Sequence, residues 1–358
     1  MPAKSGLALI MVVILVSTAV VWLPVGREKI YENYDGPYYV AVARSWYNKE
    51  ILGRNFSFPI PLEYYAAHFP LYPALINAIS AFGLNRLQAM LAVNLAATAA
   101  AAMVIYKVVE VQKWGNPLWV ALAWLFVWPR MWAVRVVGSP ETLFVLWIIA
   151  SLYFFQKRKF WQAAIFGSLA VSTKSPGILL FPAYILWWGE NFMKTKKWEG
   201  KIYPILLIPA ALAAVFGLFW LRTGDFWAYF HSGDNIHLQL LPFKVFDSSQ
   251  SWVGNFWLED VLWIYFIGAL GIYHAFKKSR VWGWWGAVFF VSILFVSHRD
   301  ISRYSLPLVP IVLVGLSELL NRKEVRLTLL LFLIPAYLYT VNFVSHNFFP
   351  ISDWGPFL

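Results

Sequence analysis

The chain has 358 residues, of which 60% are hydrophobic and 13% charged, with a formal net charge of +11 and no cysteine. A soluble globular domain is about 25% charged, so this composition excludes an ordinary soluble enzyme and a disordered chain, and the mean hydropathy of +0.60 agrees. The positive charge sits in short clusters between apolar runs, as in a membrane protein rather than a nucleic-acid binder, and without cysteine there are no disulfides, thiolate metal sites or cysteine catalysis.

A helix needs about 20 residues to cross roughly 30 Å of hydrocarbon. The first apolar run, Gly6 to Pro24, fits, and no small-residue cleavage site precedes Arg27, so it reads as a retained transmembrane helix and not a signal peptide. Tyr39, Val42, Ala43 and Trp46 then fall at helical spacing, which predicts an amphipathic helix over Tyr38 to Tyr47, lying on the membrane. Leu71 to Phe82 is apolar but covers only about 18 Å. Pro70 and Pro73 bracket it on one side and Gly83 on the other, which predicts a juxtamembrane or re-entrant helix. Further runs lie near 88–107, 117–130, 139–156, 160–173, 176–192, 203–222, 258–276, 281–297, 304–320 and 326–344, making eleven with the first. No internal repeat or low-complexity tract interrupts them. The expectation is an all-α polytopic membrane protein, one membrane-embedded domain over 1–358, with long outer loops at 25–87 and 222–257.

Charge sets the orientation. With the N-terminus inside and eleven crossings, the inner segments hold 16 Lys and Arg and the short outer loops hold 5. The other 8 sit in the two long loops, where the positive-inside rule weakens. Thirteen of the 18 acidic residues fall outside, so the polar chemistry collects on the extracytoplasmic or lumenal face.

Asp35 opens that chemistry, about ten residues beyond the first membrane helix, on a turn made by Gly36 and Pro37. It is either an N-cap for the following helix or a reactive carboxylate; position alone does not choose. Four more segments converge on the same face: His68-Phe69-Pro70-Leu71-Tyr72-Pro73, Ser139-Pro140-Glu141, Lys174-Ser175-Pro176-Gly177, and His298-Arg299-Asp300-Ile301-Ser302-Arg303-Tyr304. Each has a structural account too. Glu141 suits a helix dipole, the basic residues can snorkel to lipid phosphates, and His68 can be an interfacial side chain. Together, acids and bases gathered in a chain this poor in charge point to function. They suit glycosyl transfer from a lipid phosphate. A carboxylate acts as general base on an acceptor hydroxyl, Arg or Lys holds the leaving phosphate, and loop aromatics such as Tyr64, Tyr65, Trp227, Tyr229, Phe230, Trp252, Phe256 and Trp257 offer sugar-stacking faces or an interfacial belt.

In order and spacing, Tyr34-Asp35-Gly36-Pro37-Tyr38-Tyr39, Phe69-Pro70-Leu71-Tyr72-Pro73, Ser139-Pro140-Glu141, the Lys174 turn and Arg303-Tyr304 with Pro307 resemble the GT-C superfamily of polytopic glycosyltransferases. Within it they are most similar to the PIG-V-type mannosyltransferases of GPI-anchor synthesis (GPI mannosyltransferase II). The motifs cover about residues 1–180 and continue more thinly to Pro307. The resemblance implies the GT-C fold and an inverting transferase using a dolichyl- or polyprenyl-phosphate sugar, with dolichyl-phosphate mannose the expected donor. It implies Asp35 and Glu141 as catalytic acids, which would also hold a divalent cation (Mg or Mn) in a metal-using branch. Lys174 and Arg303 match basic positions near the donor phosphate, and His68, Tyr72, His298, Arg299 and Tyr304 join them as expected substrate-binding residues. One departure matters: Gly36 follows Asp35 where many members carry a second acid, and a lone acid favours a base over a metal ligand.

The expected partners are a lipid-linked sugar donor, a glycan, lipid or protein acceptor and the membrane lipids, with no nucleic acid. Asp225, His231, Asp234, Asn235, His237 and Gln239 make the second long loop the expected acceptor side. A transporter or flippase of lipid-linked sugar would need ionisable residues along a membrane path, whereas here they lie at the ends of the runs; a noncatalytic subunit of a glycosylation complex is the remaining alternative.

Overall fold

The computed structural model describes residues 3–33, 35–233, 237–249, 253 and 255–358, with the side chains at 3, 4 and 255–257 outside the description. Tyr34, Asp234, Asn235 and Trp252, and the side chains of Phe256 and Trp257, therefore lie outside the described residues. Seventeen α-helices account for most of the rest. α1 (Ala3–Val25) buries Ile10, Ile14, Ser17, Thr18 and Val21 on one stripe and exposes Val12, Leu15 and Val16 on the other. Such an apolar outer face suits lipid. α2 (Arg27–Tyr31), α3 (Gly36–Ser45), α4 (Lys49–Asn55) and α5 (Leu71–Ser80) fill the first long loop.

α3 differs from the sequence expectation. Tyr39, Val40, Ala41, Val42 and Ala43 are all buried, and the helix packs on α5 and α6 (Arg86–Gln112). A membrane-surface helix would leave one face uncovered; this one is enclosed by its neighbours. α6 starts at a capping box, in which Asn85 Oδ1 accepts from Gln88 N at 2.9 Å and Gln88 Oε1 accepts from Asn85 N at 3.2 Å. Its alanine-rich middle lets α1, α7 and α9 approach its backbone closely.

The expected run 117–130 is not one straight helix. α7 (Pro117–Phe126) and α8 (Pro129–Arg135) are bent by 80° at a short break. Pro129 is the cause: a residue before proline avoids the α region, and Trp128 takes φ −101°, ψ 106°. α9 (Glu141–Gln156), α10 (Phe160–Thr173), α11 (Leu180–Thr195) and α12 (Leu207–Thr223) follow. After the second long loop come α13 (Asn255–Lys278), α14 (Arg280–Leu294), α15 (Ile301–Tyr304), α16 (Val309–Gly315) and α17 (Lys323–His346).

The eleven expected runs lie largely on helical segments. Among the described residues, four helices are long and apolar enough to cross a membrane: Ser5–Val25, Arg86–Gln112, Gly200–Thr223 and Lys323–His346. The bent α7–α8 pair adds a fifth if it counts as one span. Leu71–Ser80 is a shorter apolar helix, which agrees with the sequence reading that this segment is too short to span.

Candidate active site

The functional side chains gather at one end of the bundle, and local packing explains why. Asp35 follows a segment tied to the C-terminal chain: Asn33 Nδ2 donates to Val344 O at 3.2 Å, Phe349 N to Glu32 O at 3.1 Å and Ile351 N to Glu32 Oε1 at 2.7 Å. Asp35 stands at the N-cap position of α3 yet makes no side-chain capping bond. Its carboxylate turns to Arg303 instead, with Arg303 Nη2 2.7 Å from Asp35 Oδ2.

Glu141 opens α9 and is 2% exposed. The segment before it is held by Asn94 of α6, whose Nδ2 donates to Val134 O at 2.8 Å and also to Val137 O, and whose Oδ1 accepts from Thr142 Oγ1. Three donors converge on Glu141: Arg303 Nε at 2.7 Å and Lys174 Nζ at 2.8 Å on Oε1, and Ser139 Oγ on Oε2. Lys174 is set by the Ser175-Pro176-Gly177 turn, which lies so close to α10 that a Cβ on Gly177 would come within 2.5 Å of the Val171 backbone N. Arg303 sits in α15 beside Asp300, which pairs with Arg130 Nη2 of α8. Arg130 in turn lies over the Phe343 ring, 3.9 Å from its centroid.

Three carboxylates (Asp35, Glu141, Asp300) are thus interleaved with three cations (Arg303, Lys174, Arg130). A cleft of about 320 Å³ opens beside them. Its polar lining comes from Asn33, Asp35, Arg130, Ser139, Asp300 and Arg303, and its apolar lining includes Val134, Val137 and Phe343. Of the residues expected from the sequence, Asp35 and Arg303 line this cleft. Glu141 and Lys174 lie behind Arg303 and support it.

The other expected residues do not line this cleft. Tyr72 is buried and its hydroxyl donates to Met90 O at 3.1 Å, so it serves the packing of α5 on α6. His68 is buried in an aromatic box, edge-on to Tyr38, Tyr39 and Tyr64 at 5.5, 4.7 and 5.6 Å between centroids. Burial drives its pKa from 6.5 down to about 4, against a smaller opposing pull from Asp35. His298 meets the His237 ring at a tilt, 4.0 Å between centroids, and Tyr304 edge-on at 5.3 Å. A strap of the second long loop brings His237 there: Gln239 N donates to Phe295 O, Phe243 N to Leu294 O and Ser297 N to His237 O. Arg299 is exposed.

Sequence reasoning missed Arg130, Asp300 and Asn94 as parts of the site. Arg130 and Asp300 carried a signal, since ionisable residues are scarce in this chain; Asn94 inside an apolar run carried another, because a buried amide needs partners. As for a divalent cation, the two acids expected to share one are bridged by the Arg303 guanidinium. In this arrangement the pair does not fit a common metal ion.

No protein-family model matches the chain, and no curated protein matches it in sequence. Solved structures resemble it along most of its length. ArnT from Cupriavidus metallidurans in the apo state is 15% identical with a TM-score of 0.60, covering 96% of this chain and 78% of that one. ArnT bound to undecaprenyl phosphate is 16% identical with a TM-score of 0.54, covering 86% and 59%. The oligosaccharyltransferase AglB from Archaeoglobus fulgidus, in complex with an inhibitory peptide and a dolichol-phosphate, is 13% identical with a TM-score of 0.52, covering 98% and 57%. The chain therefore spans little more than half the length of the latter two. The fold is the all-α GT-C fold of an integral membrane protein.

Proposed function

We propose that the chain is an inverting glycosyltransferase. In this reading it moves a sugar, mannose as the first choice, from a dolichyl or polyprenyl phosphate to an acceptor hydroxyl at the extracytoplasmic or lumenal face, with the N-terminus cytoplasmic. One observation carries the reading: a carboxylate, Asp35, and two arginines, Arg130 and Arg303, face a single cleft with apolar walls. Structural neighbours solved with undecaprenyl phosphate and dolichol-phosphate support a lipid-phosphate ligand.

The chemistry is a direct displacement. Asp35 Oδ1, which accepts no hydrogen bond among the described residues, takes the proton of the acceptor hydroxyl as its oxygen bonds to the anomeric carbon. The bond from that carbon to the phosphate oxygen breaks, and the electron pair leaves with the lipid phosphate. Arg303 and Arg130 stabilise its charge by charge-assisted hydrogen bonds. Attack from the side opposite the leaving group inverts the anomeric centre. Glu141 holds the Arg303 fork in place while Lys174 balances the second negative charge. No step needs a metal held by Asp35 and Glu141.

The test is transfer from radiolabelled polyprenyl-phosphate mannose by detergent-purified protein supplied with an extract of host lipids and glycans. Labelled product, lost in Asp35→Ala, supports the reading. A folded protein that transfers nothing from mannose, glucose or arabinose donors overturns it.

A further inference from the structure

A second cleft, of about 330 Å³, lies between the two long loops. Its chemistry differs from that beside Asp35. An ion pair and an imidazole–carboxylate contact stand in its lining, Lys49 Nζ with Glu63 Oε1 at 2.8 Å and His231 Nδ1 with Asp225 Oδ2 at 2.7 Å. Tyr47 and Tyr65 also line it, both almost wholly buried. Tyr65 is 2% exposed, and its hydroxyl has no hydrogen-bond partner among the described residues. Tyr47 is already committed, donating to His68 O at 2.7 Å.

This combination selects by charge. An anion entering the cleft meets two carboxylates, and a cation meets Lys49, so neither gains without a nearby penalty. A neutral polyhydroxy ring meets no such conflict. Glu63 and Asp225 accept from its hydroxyls, Lys49 and the imidazole of His231 beside them bond the same hydroxyls, and the Tyr65 hydroxyl, which bonds no described residue, adds a further contact.

The cleft also has a defined relation to the first. Tyr65 meets Tyr38 edge-on at 6.2 Å, Tyr38 stands in the first turn of α3 after Asp35, and His68 N bonds Tyr65 O at 3.1 Å. We propose that this second cleft is a carbohydrate subsite for a neutral sugar ring of the acceptor. Its assignment to the acceptor rests on the glycosyl-transfer reading above; its preference for a neutral sugar does not.

Saturation-transfer difference NMR tests this on the full chain, in a detergent without a sugar headgroup. The probes are methyl α-mannoside, methyl α-glucoside and N-acetylglucosamine, with mannose 6-phosphate as the anionic control. Saturation is expected to reach at least one neutral probe and not the phosphate. It should persist in Asp35→Asn and fall at least severalfold in Tyr65→Phe, which removes one oxygen and no bulk, and in Glu63→Gln. No transfer to any neutral probe, or transfer unchanged in both cleft variants, overturns the subsite. So does loss in Asp35→Asn alone, which would put the sugar in the first cleft. Enzymatic transfer without sugar binding would retire the subsite and leave the activity standing. Sugar binding by a chain that transfers nothing would retire the acceptor role and leave a sugar site.

Discussion

Asp35 and Glu141 are joined by one guanidinium. Arg303 Nη2 lies 2.7 Å from Asp35 Oδ2 and its Nε lies 2.7 Å from Glu141 Oε1. The Glu141 side chain is 3% exposed and that of Arg303 12%, so little water is present to replace either contact. Only a planar fork reaches both acids at once, and a lysine ammonium is a point donor.

Arg303→Lys is therefore expected to keep the charge and lose the bridge. Breaking a buried, hydrogen-bonded pair costs about 3–5 kcal/mol. Arg303→Ala should approach that loss, with Arg303→Lys in between, read as thermal or denaturant stability in detergent. A wild-type stability for Arg303→Ala would show that the bridge holds nothing.

Asp35→Asn is expected to behave in the opposite way. It keeps the shape of the side chain and a carbonyl oxygen for Arg303, and it removes the proton acceptor. General bases contribute about 10²–10⁴-fold, so transfer should fall by that factor, with a loss of stability smaller than that of Arg303→Ala because the amide oxygen still accepts from Arg303. A variant that keeps a tenth or more of the wild-type rate sinks the base assignment.

These residues show what a sequence of this kind makes legible. Asp35, Glu141, Lys174 and Arg303 stood out because ionisable side chains are scarce among apolar runs, and the structure brings all four together. Which pairs they form was not legible, because Arg303 reaches across 268 positions to Asp35. Arg130 and Asp300 were equally visible and stayed unassigned for the same reason. Tyr72 shows the converse. Its neighbours form a recognisable motif, yet its hydroxyl is spent on the Met90 carbonyl. The burial of α3 was hidden because its spacing fits a lipid-facing stripe as well as a core; only the covering helices, α5 and α6, decide between them. The break at Pro129, by contrast, follows from a rule about single residues and could have been read directly.

The bridge also bears on metal dependence. A divalent ion shared by Asp35 and Glu141 would have to displace a guanidinium that bonds both. Transfer is expected to continue unchanged in excess EDTA. Activity abolished by EDTA and restored by Mg or Mn would mean that the ion-pair arrangement is not the working state.

His68 gives the protein an acid limit. Burial lowers its pKa from 6.5 to about 4, and its Nδ1 is buried without a partner. Between those values the unfolded chain binds a proton that the folded chain excludes, so stability rises with pH in that window. The contribution of this residue is complete above pH 6.5 and is lost progressively as pH falls towards 4, by about 3 kcal/mol in total. His68→Phe should flatten the stability profile between pH 6.5 and 4. An unchanged slope in the variant would assign the acid sensitivity to other groups.

Arg130 and Arg299 separate a phosphate contact from a bystander. Arg130 lines the cleft with Asp35, is fixed by Asp300 and lies over the Phe343 ring, whereas Arg299 is exposed. A hydrogen bond to a charged group contributes about 1.5–3 kcal/mol, equivalent to about 10- to 100-fold in affinity. Arg130→Gln is therefore expected to raise the KM for the lipid-phosphate donor by that factor, with a smaller effect on kcat because Arg303 still meets the leaving phosphate. Arg299→Ala should change neither constant. If Arg299→Ala instead raised the donor KM and Arg130→Gln did not, the phosphate would have to sit outside the Asp35 cleft, on the exposed side of the segment 298–304. Asp35 would then be remote from the reacting carbon, and the base assignment would fall with it.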